Sequence, residues 1–306
     1  MPEKVFVNDN VIDLEEARIS VADSGLLYGA GLFETMRSRN GVVFRRQDHL
    51  ERLFFSAEAL SIVHSYGKEQ ISEAIHQVLE TNELADARLR LTLTGGPLSQ
   101  PESQRRGSLV ITATAFTPYP ADYYRVGVMV ILCPFRQNTT DPTHGHQTTS
   151  FLPRLLALNL ARQRRATEAL WFTQDNRLAD ASLSSVFLVK NSILSAPSIE
   201  VPALVDPARR VIRQLAQQQS IEVVEKDLYI ADVLEADEIF LTNVVMNVLP
   251  VVGVERHTVG EGKIGPVTKK LTEAFAQAIE QECRVDRDPK RKESRLGTRL
   301  APPESA

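Results

Sequence analysis

The sequence predicts an α+β protein of two domains, and three observations carry that prediction. Its 306 residues exceed one ordinary domain. Period-two strands and period-3.6 helices occur together in the first half, whereas the second half is rich in strands with helices between them. A stretch over residues 116–124, holding Pro118, Pro120 and several aromatic residues, separates the halves. The expected boundaries are 1–118 for the N-terminal domain, 119–125 for the linker and 126–283 for the C-terminal domain. Residues 284–306 read as a disordered tail, charged and nearly free of apolar residues, with Pro302-Pro303 near its end.

Composition narrows the function. At 43% hydrophobic and 24% charged, the chain can bury a real core. A formal charge of −4 gives no sign of a nucleic-acid or membrane partner. No apolar run is long enough to span a bilayer, and the start Met1-Pro2-Glu3-Lys4 lacks the apolar core of a signal peptide. Two cysteines, Cys133 and Cys283, make neither a disulfide framework nor a zinc site, so a cytoplasmic location and no metal are expected.

In the first half, Val5–Val7 and Val11–Leu14 flank a polar turn and predict a hairpin. Gly25, Gly29 and Gly31 allow tight bends before a strand, and Asn40-Gly41 predicts a primed hairpin turn. Over Gln47–Ile62, Leu50, Leu53, Phe54, Ala57 and Leu60 recur at helical spacing, and Asp48 suits the start of that helix. Arg52 lies off this stripe. A second helix is expected over Lys68–Thr81. Arg88–Thr94 alternates strictly and reads as a strand ending at Gly95-Gly96-Pro97, with another strand over Ser108–Thr114.

In the second half, Val126–Leu132 reads as an apolar strand and Cys133–Thr149 as a polar loop. A helix is expected over Leu152–Ala166, with Pro153 in its first turn. Ala169–Thr173 reads as a strand, Asp180–Ser185 as a small polar loop and Val186–Lys190 as the strand after it. Asp206-Pro207 is an entry signal for a helix over Pro207–Gln219. Strands are expected over Ile221–Val224, Glu238–Thr242 and Leu249–Val254, and a last helix over Gly265–Cys283.

The pattern D-x-G-x-x-Y-G-x-G-x-F-E-T-x-R at Asp23–Arg37, followed by H-L-E-R-L at His49–Leu53, resembles the class IV aminotransferases. These are the fold-type IV pyridoxal-phosphate proteins, which include branched-chain and D-amino-acid aminotransferases and 4-amino-4-deoxychorismate lyase. The blocks Ser150–Ala157, Leu178–Phe187, Pro202–Leu215 and Phe240–Val251 follow in the family's order, so the resemblance runs from about Val5 to Cys283. T-N-x-x-M-x-x-x-P-V within the last block leans toward the lyase branch. The resemblance implies a small α+β N-terminal domain and a strand-rich pseudo-barrel C-terminal domain. It further implies pyridoxal 5'-phosphate between them, a homodimer, and an amino or keto acid as the small-molecule substrate.

Such a site must hold a phosphate, keep the ring nitrogen protonated and supply an amine. By resemblance, Arg52 matches the phosphate arginine, whose planar guanidinium suits that anion. Asp180 matches the glutamate that pairs with the ring nitrogen, one methylene shorter. Ala208 and Val244 fall where the family commonly offers threonine hydroxyls to the phosphate. The lysine position falls on Gln147, whose amide is neither basic nor nucleophilic. Phe151 stands for a tyrosine, Pro207 has no N–H to give, and Asp206 brings negative charge toward a dianion. Lys190, Lys226, Lys263, Lys269 and Lys270 lie in other stretches, and His144 and His146 are the titratable groups nearest to Gln147. No residue is therefore expected as a confident catalyst. Several departures aimed at one ligand point to a natural remodelling of the site rather than a single substitution. The expectation is an aminotransferase-like protein without ordinary pyridoxal-phosphate catalysis, the cofactor lost or held non-covalently. The alternatives are an active transaminase or deoxychorismate-lyase-like enzyme using non-covalent cofactor, and a pocket converted to another small anionic ligand.

Overall fold

The computed structural model describes residues 3–101 and 104–284; the expected tail lies almost wholly outside these. The first hairpin is β1 (Lys4–Val7) and β2 (Asn10–Asp13), followed by a 3-10 turn at Leu14–Glu16. Helix α1 (Ser24–Tyr28) comes next, capped by the Asp23 carboxylate on the Gly25 N–H. It ends at Gly29, which has φ +70°. At this φ a side chain is strained, and a Cβ would also meet the Ser150 hydroxyl at 2.2 Å, so glycine suits the turn where the later chain passes. Then follow β3 (Gly31–Arg39), β4 (Val42–Val43), α2 (Arg46–Ala59), α3 (Lys68–Thr81), β5 (Ala87–Thr94) and β6 (Leu109–Ala115). The strands form one antiparallel six-stranded sheet, in the order β2-β1-β6-β5-β3-β4.

Alternation on β5 gives this sheet two unlike faces. Leu89, Leu91 and Leu93 are fully buried, and they join Leu53 of α2 and Ile71, Ile75 and Val78 of α3 in one core. Arg88 and Arg90 point the other way, level with Arg37 and Thr35 on β3.

The segment read as a linker carries a short helix, α4 (Ala121–Val126), ending at Gly127. Beyond it lie β7 (Val128–Gln137), α5 (Leu152–Gln163), β8 (Glu168–Thr173), β9 (Leu178–Ala181), β10 (Ser185–Lys190) and β11 (Ile193–Pro197). The chain continues with α6 (Pro207–Gln218), β12 (Val223–Lys226), α7 (Ile230–Glu235), β13 (Glu238–Asn243), β14 (Asn247–Val254), β15 (His257–Thr258) and α8 (Pro266–Glu282). The second sheet runs β12-β11-β10-β13-β14-β7-β8-β9, with β15 on β14. It mixes parallel pairs (β11 with β12, β14 with β7, β7 with β8) and antiparallel ones. Ala181 N–H donates to the Ser184 carbonyl, so the end strand β9 bends back beside β10 and the sheet curls on itself. Its inner face is packed by Val130, Leu170, Leu188 and Leu241, and α6 and α8 cover the outer face around Phe187, Phe240 and Phe275. This is the two-part α+β architecture expected, with a strand-rich curled second sheet.

Several local expectations need correction. The loop expected over Cys133–Thr149 is strand as far as Gln137, because the chain stays paired with β8 through a bulge. Asp180–Ser185 is not a free polar loop: Asp180 and Ala181 end β9, fully buried, and Ser185 begins β10. Their small polar side chains hide an interior strand from a hydropathy reading. Strand β12 starts at Val223 rather than Ile221. The five-residue α1, six-residue α7 and strand β11 were not anticipated; each is too short to display a period.

Candidate functional site

The segment Gln147–Thr149 is fixed as an extra extended piece along β3. Phe33 N–H donates to the Gln147 carbonyl (2.9 Å), Thr149 N–H donates to the Gly31 carbonyl (2.8 Å), and Leu32 bridges Thr148. Backbone pairing thus welds a second-half loop to the first sheet, beside the turn at Gly29. The Gln147 side chain enters a cavity of about 360 Å³ between the two sheets. Gln147, Asp180 and Val244 line it; Arg52 lies behind Gln147, and Ala208 is fully buried in α6 outside the lining.

Arg52 belongs to a second stripe of α2. His49, Arg52 and Ser56 recur three and four residues apart and are all buried. This stripe turns toward the second half while the leucine stripe packs the first sheet. Glu34 of β3 binds both: its Oε1 accepts from Arg52 Nε (2.8 Å), and its Oε2 accepts from Arg52 Nη2 (2.5 Å) and His49 Nδ1 (2.7 Å). Burial pushes the Glu34 carboxyl up, but the Arg52 charge and the hydrogen bonds from His49 and Arg52 outweigh it and hold it below the usual carboxylate range. Burial likewise disfavours the Arg52 cation, and Glu34 and Asp206 reverse this and raise its pKa.

The rest of the Arg52 fork is also engaged. Nη2 donates to Gln147 Oε1 at 2.6 Å, and Nη1 reaches the Val205 carbonyl and Asp206 Oδ2, each at 3.4 Å. Asp206 caps α6, its Oδ1 accepting from Ala208 N–H at 2.8 Å. Arg209 N–H donates to the Asp206 carbonyl, and Pro207 has no N–H. The start of α6 therefore offers an incoming anion a carboxylate in place of free amides.

Asp180 is equally occupied. Arg154 Nη1 and Nη2 donate to its two oxygens at 2.8 and 3.0 Å, and Gln137 Nε2 donates to Oδ1 at 3.0 Å. Arg154 also donates to the Ala181 carbonyl and stacks 4.7 Å above the Trp171 ring. This arginine escaped the sequence reading. The signal available was its position in the first turn of α5, where a cation opposes the helix dipole and so asks for a partner elsewhere.

Among the described residues no lysine lines the cavity. Lys190 is held by the Glu235 carbonyl and Asp237, and Lys226 by Asp232. His146 Nδ1 pairs with Ser56 Oγ at 2.9 Å, and burial lowers its pKa; His144 Nδ1 bonds the Asn138 carbonyl at 2.6 Å. Both histidines are thus tied to neighbouring groups. Phe151 packs edge-on against Phe33, centroids 5.2 Å apart.

These residues do not fit the cofactor that the family resemblance implies. Its phosphate would have to displace Gln147 from Arg52 and approach the Asp206 carboxylate. Its ring nitrogen would meet an Asp180 already neutralised by Arg154. Its aldehyde would find no primary amine along the described lining.

Comparison with known proteins agrees with the fold. The sequence profile described as amino-transferase class IV matches residues 31–254. A Methanocaldococcus jannaschii protein assigned by name to the branched-chain-amino-acid aminotransferases is 31% identical over 274 residues, 89% of this chain and 95% of that one. A D-alanine aminotransferase of Listeria monocytogenes is 27% identical, covering 92% of this chain and 97% of its own. The crystal structure of the Escherichia coli branched-chain amino acid aminotransferase superposes with a TM-score of 0.87 at 26% identity, over 94% of this chain and 98% of that chain.

Proposed function

The chain belongs to the class IV amino-transferase family, and from that premise we propose that it keeps the family fold without the family's pyridoxal-phosphate catalysis. Gln147 stands at the lysine position in this reading. The observation that carries it is that the chain's own side chains take the cofactor's anchor points. Gln147 and Asp206 occupy Arg52 where a phosphate would sit. Arg154 occupies Asp180 where a protonated ring nitrogen would sit. These contacts put charge or polarity onto each anchor from within the chain, so the buried ions are paired by its own side chains. Such compensation is what a buried arginine and a buried aspartate need, because either left alone costs several kcal/mol on the order of a broken buried pair.

The same reading extends to assembly and location. Leu26, Leu27 and Tyr28 of α1 and Leu152, Leu155 and Leu156 of α5 are exposed, and the Gly29–Ser150 contact sets the two helices side by side. A second copy of the chain is the proposed cover for this apolar face. Two buried free thiols, Cys133 and Cys283, accord with a reducing cytoplasm.

The test is direct. Purified protein mixed with pyridoxal 5'-phosphate, with and without borohydride, is expected to give no Schiff-base absorbance and no adduct mass on any lysine. A covalent adduct on a lysine, or turnover of an amino donor with a keto acid, would overturn the reading. Gln147→Lys alone is expected not to restore a stable Schiff base, because Asp206, Pro207 and Arg154 remain.

A further inference from the structure

The turn Ser182-Leu183-Ser184 joins β9 to β10 and forms part of the cavity wall, together with Ser185 and Trp171. Beneath it lies an acid that the ion pairs of the site leave out. Glu168 opens β8, lies level with Val130 of β7 and is 1% exposed. Its Oε1 takes both donors that the turn offers, Leu183 N–H and Ser184 Oγ. Its Oε2 is buried and has no partner among the described residues. That asymmetry suits a neutral acid rather than a carboxylate, because a buried negative charge needs donors on both oxygens.

Neighbouring charges do not make up the shortfall. Arg154 of α5 favours the carboxylate, but its guanidinium is committed to Asp180 and the Ala181 carbonyl. Tyr119, ahead of α4, is kept protonated by burial and by the Glu168 charge, against the pull of Arg88 and Arg162. Burial thus raises the Glu168 pKa to about 8, against Leu183 N–H, Ser184 and Arg154. The turn above is a thin cover. Leu183 is 39% exposed, and β9, which leads into the turn, is the end strand of its sheet. Asn243 Nδ2 donates to the Leu183 carbonyl at 3.0 Å, and Trp171 Nε1 donates to Ser182 Oγ at 3.1 Å.

We infer that Glu168 is a proton-operated latch on this turn: the neutral acid sits beneath the closed turn, and loss of its proton to solvent opens the turn and reshapes the cavity wall. Ionisation strengthens the two bonds to Oε1 but leaves Oε2 charged without a donor, and burial outweighs the gain. Water must then reach the carboxylate. The turn is the element that yields, since on the other side β7 and β8 are locked in a ladder.

Trp171 is the single tryptophan of the chain, and its bond to Ser182 makes its fluorescence a reporter of the turn. Burial holds His146 below its ordinary 6.5 and Cys133 above its ordinary 9.0, so neither titrates between them. In the full chain, Trp171 emission is expected to move to longer wavelength as pH rises, in one reversible one-proton step near pH 8. Quenching by acrylamide should rise with it, while far-ultraviolet circular dichroism stays constant. E168Q should hold the short-wavelength emission throughout. Ser184→Ala removes a donor that favours the carboxylate and should move the step to higher pH. Tyr119→Phe should keep the step. A flat parent profile, or a step that survives in E168Q, would overturn the proposal. So would loss of circular dichroism with the step, which means global unfolding, or a Ser184→Ala step that stays in place or falls.

Discussion

At the scale of single residues, the site's chemistry lies in which charges are paired and which are not. Glu168 is a buried acid beside it, 1% exposed, its Oε1 accepting from Leu183 N–H (3.2 Å) and Ser184 Oγ (3.3 Å). Burial pushes its pKa up to about 8 from 4.5, more than these donors and Arg154 pull it down. The folded chain therefore keeps a proton that the unfolded chain releases above pH 4.5, so this stabilising contribution is full below that pH and is lost as pH rises to about 8. E168Q mimics the neutral form and is expected to flatten the dependence. In thermal melts it should gain roughly 2–4 °C or more over the parent at pH 8, and little at pH 4.5. Asp206 does two jobs, capping α6 and approaching Arg52. Asp206→Ala is expected to cost about 1–2 kcal/mol in urea denaturation; an unchanged midpoint would remove the cap from the account.

Strand β5 is the element on which site and scaffold meet, and its two faces should answer mutation differently. Leu91 is fully buried between the sheet and its helices, so Leu91→Ala is expected to cost about 2–5 kcal/mol. Arg88→Gln, one pleat from the apolar row, should change stability by less than about 0.5 kcal/mol. Equal losses at both positions would mean that the arginine face is packed rather than open to the cavity. The strict alternation Arg88-Leu89-Arg90-Leu91 identifies the strand from sequence. It also reads naturally as one face in the core and one in water. The structure keeps Arg88 and Arg90 exposed, and only the second half of the chain, facing that side, makes them part of the cavity's lining.

Over the whole molecule, the two sheets are joined by a few specific ties. The loop carrying Gln147 pairs with β3, Arg52 of α2 reaches Asp206 before α6, and Arg37 of β3 donates to Asn247 at the start of β14. Phe44 adds an apolar tie, buried against Phe275 of α8. The exposed leucines of α1 and α5 belong to this scale as well. A double variant, Leu26→Glu with Leu155→Glu, is expected to convert a dimer to monomers in sedimentation velocity while circular dichroism stays unchanged. Parent protein sedimenting as a monomer at micromolar concentration would refute the proposed cover.

Much of this was legible in the sequence. Long periodic elements such as α2, α3, β5 and α8 were readable because their side-chain spacing repeats often enough to stand above chance. Family membership was readable because Asp23–Arg37 and His49–Leu53 hold many identities at fixed offsets. Pairings between residues distant in sequence were not. Arg154 with Asp180 and Arg52 with Gln147 depend on where two sheets meet, and no local pattern encodes that meeting. By itself, then, the sequence determined the fold, through periodicity and motif. Tertiary structure alone decided the charge state of the cavity, because a buried ion's partner is set by distance in space rather than by spacing along the chain.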